Sequence, residues 1–156
     1  MKSSNSKSLL GIAIVIFLLS LVSISVLFVQ SFDVCTNGSD LAWREDLFQM
    51  QMIIFIGKLF FKTAFYILLF FFLIKQHKAI KNGVLFPRAN VLIMYFMAAF
   101  YFMGNFCQEN IKTFISAETP HIVLNFDTTI YTLLLIIFAL MYKVAAKVSE
   151  ENNLTI

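Results

Sequence analysis

The sequence predicts an all-α membrane protein: a four-helix transmembrane bundle with both termini cytoplasmic. Three observations predict it. The chain has 156 residues, of which 60% are hydrophobic and only 13% charged, and its mean hydropathy of +0.82 is far outside the soluble range. The apolar residues gather into four runs, at about 9–29, 56–74, 91–106 and 121–142, near the ~20 residues that cross a bilayer core. Lysine and arginine alternate between many and few from one polar break to the next, as they do in multi-pass proteins. The length fits one domain, 1–156, and nineteen Phe suit a surface that faces lipid.

Residues 1–8 are polar and carry Lys2 and Lys7. The first run, 9–29, is interrupted only by small residues such as Gly11, Ser20, Ser23 and Ser25. Its length of about 21 residues covers roughly 30 Å at ~1.5 Å rise. A secretory signal peptide is the rival reading, with the two lysines as its n-region. Its h-region ends at about 15 residues and this run goes well beyond, which favours an uncleaved anchor.

An outer loop over 31–46 follows, with Asp33, Asp40, Glu45 and Asp46 set against Arg44. The next apolar stretch, 47–74, would make a helix of roughly 42 Å, too long for one upright span. Gln49, Gln51 and Lys58 interrupt its front, so we expect an interfacial entry from Leu47 and a buried span over 56–74. The connection at 75–90, KQHKAIKNGVLFPRAN, is the strongest basic polar break in the chain. Asn82-Gly83 is a helix stop, because Gly adopts the left-handed conformation at low cost. Pro87 suits the first position of the following helix, where its missing N–H is no loss.

The third span, 91–106, contains Ala98, Ala99 and Gly104, small residues that let a neighbouring helix approach. Residues 107–119 read as a second outer loop, with Ile111, Phe114 and Ile115 against the membrane surface. Thr119-Pro120 reads as a cap and first-turn pair ahead of the fourth span at 121–142. A polar tail, 143–156, ends the chain. Lys75, Lys78, Lys81 and Arg88 mark the middle connection, Lys2 and Lys7 the amino end, and Lys143 and Lys147 the carboxyl end, whereas the two other loops carry only Arg44 and Lys112. The positive-inside rule therefore puts both termini and the 75–90 connection in the cytoplasm.

Two motifs are more specific than the spans. Lys81-Asn82-Gly83-Val84-Leu85-Phe86 with Asn90 resembles the "NG-x-x-F…N" break of the DUF2975 family of bacterial membrane proteins. Ala146, Val148 and Glu150-Glu151-Asn152-Asn153-Leu154-Thr155-Ile156 resemble that family's terminal "E-E-x-D-L-T-I" signature. Asn153 stands where the family usually has Asp, and Pro87 where a capping Thr is common. The resemblance covers nearly the whole chain and implies a four-span protein of the bacterial plasma membrane. Members are often encoded beside a small helix-turn-helix regulator, which implies a cytoplasmic DNA-binding partner and no established activity.

Several residues are candidates for function. Lys58, Lys62 and Asp127 are the ionisable residues inside apolar stretches. Counted from the cytoplasmic ends, Lys58 and Asp127 lie at similar depth, roughly 25 Å, which permits an intramembrane ion pair. The alternative is that both lysines snorkel to the outer headgroups and Asp127 meets loop water. His121, Asn125, Thr128 and Thr132 recur at helical spacing, either as helix–helix contacts or as a polar pocket. Cys35 and Cys107 fall on the same outer side, where a disulfide between the loops is one outcome and two free thiols the other. Lys75, Lys78, Lys81 and Arg88, together with His77, form a cytoplasmic basic cluster that serves topology and attraction to anionic membrane lipid, or docks an acidic partner. Glu150, Glu151, Leu154 and Ile156 make the tail a second candidate docking element, against the default of a frayed terminus.

Enzyme chemistry has little footing. No C-x-x-C, HExxH, GxSxG or phosphate-cradling glycine loop occurs. The two histidines fall on opposite sides of the predicted membrane, so no haem, metal or other cofactor site is expected. A net charge of +3 gives no support for direct nucleic-acid binding. The expectation is a non-enzymatic interaction partner of a cytoplasmic regulator, with a small transporter or channel subunit using the intramembrane charges as the alternative.

Overall fold

The structure, a computed structural model, describes residues 2–37, 45–116, 119 and 121–154. Four long helices account for nearly all of it: α1 (Lys2–Asn37), α2 (Phe48–Lys81), α3 (Ala89–Ser116) and α4 (Phe126–Leu154), with a 3₁₀ turn at Glu45–Leu47 before α2. Three helical stretches are long and apolar enough to cross a membrane: Glu45–Lys81, Ala89–Ile111 and Phe126–Glu151. α1 contributes a shorter apolar stretch, Ile14–Val26, among the described residues. The protein is thus all-helical among the described residues, with the helix lengths and compositions of a multi-pass membrane protein.

The helices are longer than the apolar runs suggest. α2 is continuous from Phe48 to Lys81, so the helix has no break at about 56, where the buried span was expected to begin. The helix also absorbs 75–81, and the polar connection shrinks to 82–88. Nothing between Lys75 and Lys81 breaks a helix, and Lys78 and Lys81 in the last turn complement the negative end of the helix dipole. α1 likewise runs on to Asn37, and α3 on to Ser116, into stretches read from sequence as outer loops. The charges and amides there are compatible with a helix that has left the apolar zone. The change in polarity along the sequence does not coincide with the end of the helix.

Where α2 does stop, it stops as the Asn82-Gly83 pair predicts. Gly83 takes φ +82°, the Val84 amide donates to the Ala79 carbonyl at 2.9 Å and the Gly83 amide to the Ile80 carbonyl at 3.1 Å. This pair of bonds is a Schellman cap. Pro87 is not the first helical residue: its carbonyl accepts from the Asn90 amide at 3.0 Å, forming a turn ahead of α3. Nor does Thr119 cap α4, which begins at Phe126. The cap is Asn125, whose Oδ1 accepts from the amides of Asp127 at 2.8 Å and Thr128 at 3.4 Å, because an unpaired first-turn N–H is best met by a short Asx side chain.

Among the described residues each helix packs chiefly on its sequence neighbours, and the α2–α3 interface is the most extensive. The arrangement is closer to a row than to a closed four-helix ring. On α3, Asn90, Met97, Gly104 and Ile111 are buried at heptad spacing, and Ile93 and Cys107 occupy the second register, the pattern of a seam between antiparallel helices. Small residues bring the backbones together. A Cβ on Gly104 would lie 3.0 Å from Lys62 Cγ and 3.4 Å from its backbone N, and one on Gly57 would lie 3.2 Å from Cys107 Sγ. Ala98 is buried in α3, whereas Ala99 is exposed. Aromatic pairs continue the interface, with Phe61 on Phe100 and Phe65 on Tyr101. α1 docks on the other flank of α2 through Phe17 against Phe70, ring centroids 4.5 Å apart.

Candidate functional site

The described polar chemistry gathers at the two ends of α3. At the end formed by the 82–88 connection, Asn90 is fully buried and links three elements. Its Nδ2 donates to Gln76 Oε1 at 3.0 Å, and lies 3.4 Å from both the Phe72 carbonyl and Tyr142 Oη. The Tyr142 hydroxyl donates to the same Gln76 Oε1 at 2.6 Å, and Gln76 Nε2 donates to the Leu85 carbonyl, also at 2.6 Å. Phe72 and Phe86 close on the Tyr142 ring edge-to-face, with centroids at 6.0 and 5.3 Å. α2, the connection, α3 and α4 are therefore tied into one junction. Two buried polar atoms nearby have no protein partner, Asn90 Oδ1 and His77 Nδ1.

Just outside this junction, Arg88 forms a 2.6 Å ion pair with Glu150. α4 remains helical through Leu154, so the tail is ordered helix to that residue, and Lys147 lies 3.8 Å from Glu151 within it. The two docking elements read from sequence, the basic connection and the acidic tail, are thus brought together by Arg88 and Glu150. Lys75, Lys78 and Lys81 are exposed on the last turns of α2, and Lys78 borders a small cavity shared with Ile14 and Phe17 of α1. The basic cluster is divided, with Lys78 facing α1 and Arg88 facing α4. The Leu154 side chain and Ile156 lie outside the described residues.

At the other end of α3, Asn110 is almost fully buried and holds the segment that leads into α4. Its Nδ2 donates to the Val123 carbonyl at 2.9 Å, and its Oδ1 accepts from the Val123 amide at 2.8 Å. The second Nδ2 hydrogen reaches the Phe106 carbonyl at 2.8 Å. The amide side chain takes both backbone hydrogen-bonding groups of Val123, and 121–125 has no regular secondary structure where sequence periodicity suggests helix.

That conformation separates His121 and Asn125 from the helical face they were expected to share with Thr128 and Thr132. Asn125 is a cap, and the threonine hydroxyls bond within their own helix: Thr132 to the Thr128 carbonyl at 2.8 Å and Thr129 to the Asn125 carbonyl at 3.1 Å. Lys62 donates to Gln108 Oε1 on α3, while Asp127 is exposed in the first turn of α4, where the helix dipole favours a carboxylate. Lys62 is thus engaged across the α2–α3 seam. Cys107 is a buried free thiol packed against Gly57. The Cys35 side chain lies outside the described residues.

Sequence reasoning missed Gln76, Tyr142, Gln108 and the clasp made by Asn110. An amide inside an apolar stretch is a usable signal, since burial without a partner costs about 1–3 kcal/mol, but the signal does not name the partner. No three His, Cys, Asp or Glu side chains converge as a metal site among the described residues. No family model, curated protein or solved structure matches the chain.

Proposed function

We propose that this is a four-span protein of the bacterial plasma membrane, with α1 as the fourth crossing and both termini on the cytoplasmic side. Its role is non-enzymatic: it holds a cytoplasmic DNA-binding regulator of the helix-turn-helix type on the surface formed by the 82–88 connection and the end of α4. The resemblance to DUF2975 supplies the class of partner. The observation that carries the reading is the Arg88–Glu150 ion pair, which joins the two candidate docking elements into one helical platform beyond the apolar part of α4. The glycine stop, Phe86 and Asn90, all motif residues, shape that platform. The transporter alternative has less to support it, since Lys62 is engaged by Gln108 and Asp127 sits at an exposed helix start.

Affinity purification from crosslinked membranes, with mass-spectrometric identification, tests this. The full chain is compared with one ending at Ser149. A helix-turn-helix protein recovered with the full chain and lost from the shortened one is the expected result. Equal recovery with both chains, or none with either, overturns the assignment of the docking surface.

A further inference from the structure

Between the start of α3 and the last third of α4 lies an open groove of about 1460 Å³. It exceeds the roughly 300–1,000 Å³ of a small-molecule pocket. Its walls are apolar along their length, with cationic side chains only toward the connection, where they stand beside Leu85, Phe86 and Val148. Leu92 and Tyr95 of α3 face Leu140 and Met141 of α4 along it, and Arg88, Lys143 and Lys147 line it toward the connection. The order along the two helices fixes this polarity. α3 begins and α4 ends at the same end of the molecule, so the cations lie nearest the polar 82–88 connection and Leu92, Tyr95, Leu140 and Met141 lie deeper in the predicted membrane. Leu92, Met141 and Val144 are largely exposed. Arg88 and Lys147 have carboxylate neighbours in Glu150 and Glu151, but Lys143 is exposed and in no ion pair among the described residues.

We infer that this groove is a binding site for one anionic phospholipid of the cytoplasmic leaflet. The acyl chain would lie along Leu92, Tyr95, Leu140 and Met141, and the phosphate would be held by Lys143, with Lys147 and Arg88 beside it. The charge pattern carries the inference. A neutral acyl surface needs no cations, and a soluble anion needs no apolar trench, whereas an anionic lipid needs both in this order. The inference does not need the regulator, but it rests on the proposed membrane crossing of α3 and α4 with the 82–88 connection on the cytoplasmic side. It also assigns the Arg88–Glu150 pair a second role, because Glu150 competes with the phosphate for Arg88.

The experiment is native mass spectrometry of the full-length protein released from detergent, after titration with phosphatidylglycerol or phosphatidylcholine, with thermal unfolding of each variant as a folding control. Phosphatidylglycerol should be retained at least about fivefold better than phosphatidylcholine. Lys143→Gln should reduce that retention about fivefold, the value of one cation near an anionic lipid surface. Val144→Trp, which fills the groove without altering charge, should reduce retention of both lipids. Glu150→Gln should raise phosphatidylglycerol retention. Equal retention of the two lipids overturns the site, as does an equal loss from Lys75→Gln, which would mean diffuse attraction to any lysine. Displacement by inorganic phosphate would overturn it in favour of a simple anion site, and a lipid-free dimer would assign the groove to a second copy of the chain.

Discussion

The two ends of α3 each hold a buried asparagine, and the two differ in how completely they are satisfied. Asn110 uses both amide hydrogens and its carbonyl oxygen, in three bonds of 2.8–2.9 Å. Asn90 has three acceptors around its amide nitrogen at 3.0–3.4 Å for two hydrogens, while its Oδ1 has no protein partner. A side chain that meets all its valences with backbone, as Asn110 does, fixes a chain path. One that shares its hydrogens among side chains and leaves an acceptor over sits in a junction that can rearrange. We therefore assign Asn110 to architecture, and Asn90 to the adjustable end of the molecule, beside the Arg88–Glu150 pair and the lipid groove.

Breaking the satisfied end should have the largest effect. Asn110→Leu strands the Val123 amide and carbonyl, and each unpaired polar group costs about 1–3 kcal/mol when buried. Because Val123 is only half-buried, we expect a total loss of about 2–4 kcal/mol, read as a lowered unfolding midpoint in detergent and as new protease cleavage within 121–125. A loss below about 1 kcal/mol with 121–125 still protected would show that Asn110 does not hold the segment.

Gly83→Ala comes next. No heavy atom lies within 4 Å of the added Cβ, so the whole effect is backbone strain at φ +82°, about 1–2 kcal/mol for an L-residue in the left-handed region. Gly83→Asn should recover part of it, because Asn tolerates that conformation. If both variants unfold like the parent, the Schellman cap contributes little. At the adjustable end, Asn90→Leu should lose less than about 1 kcal/mol: it removes an unsatisfied buried acceptor, and Gln76 Oε1 keeps its bond from Tyr142. A loss as large as that of Asn110→Leu would erase the distinction between the two ends.

How much of this was legible in the sequence depends on the range of the physics involved. The glycine stop was legible because left-handed backbone is a local property of one residue. Ala98 and Gly104 were legible as close-approach residues because small side chains in an apolar run have few other uses. The helix ends at Asn37, Lys81 and Ser116 were not, since hydropathy reports the thickness of a membrane and an α-helix can continue past it. The start of α4 was misplaced because Asn110, on the preceding helix, supplies the hydrogen bonds that satisfy Val123 outside a helical turn. The Lys62–Gln108 contact was illegible for the same reason: depth counting concerned Lys58 and Asp127, and only the packing of Gly104 against the Lys62 stem brings Gln108 to Lys62. What lies within one turn can be read from one chain, whereas pairings between helices need the packing.

The smallest stability effect is expected at Arg88. Its ion pair with Glu150 is short, at 2.6 Å, but the side chains are 68% and 42% exposed, and exposed pairs contribute about 0–1 kcal/mol after screening and side-chain ordering. Arg88→Gln should therefore lower the unfolding midpoint by the equivalent of less than about 0.5 kcal/mol, and added salt should shrink even that difference, since a surface pair is screened within about a Debye length. The same substitution leaves the Asn90 junction intact, because Gln76, Tyr142 and Leu85 bond without reference to Arg88. If Arg88→Gln instead unfolds the protein as severely as Asn110→Leu, the pair is a structural clasp and not an adjustable contact. The contrast between the two ends of α3 would then be one of composition alone.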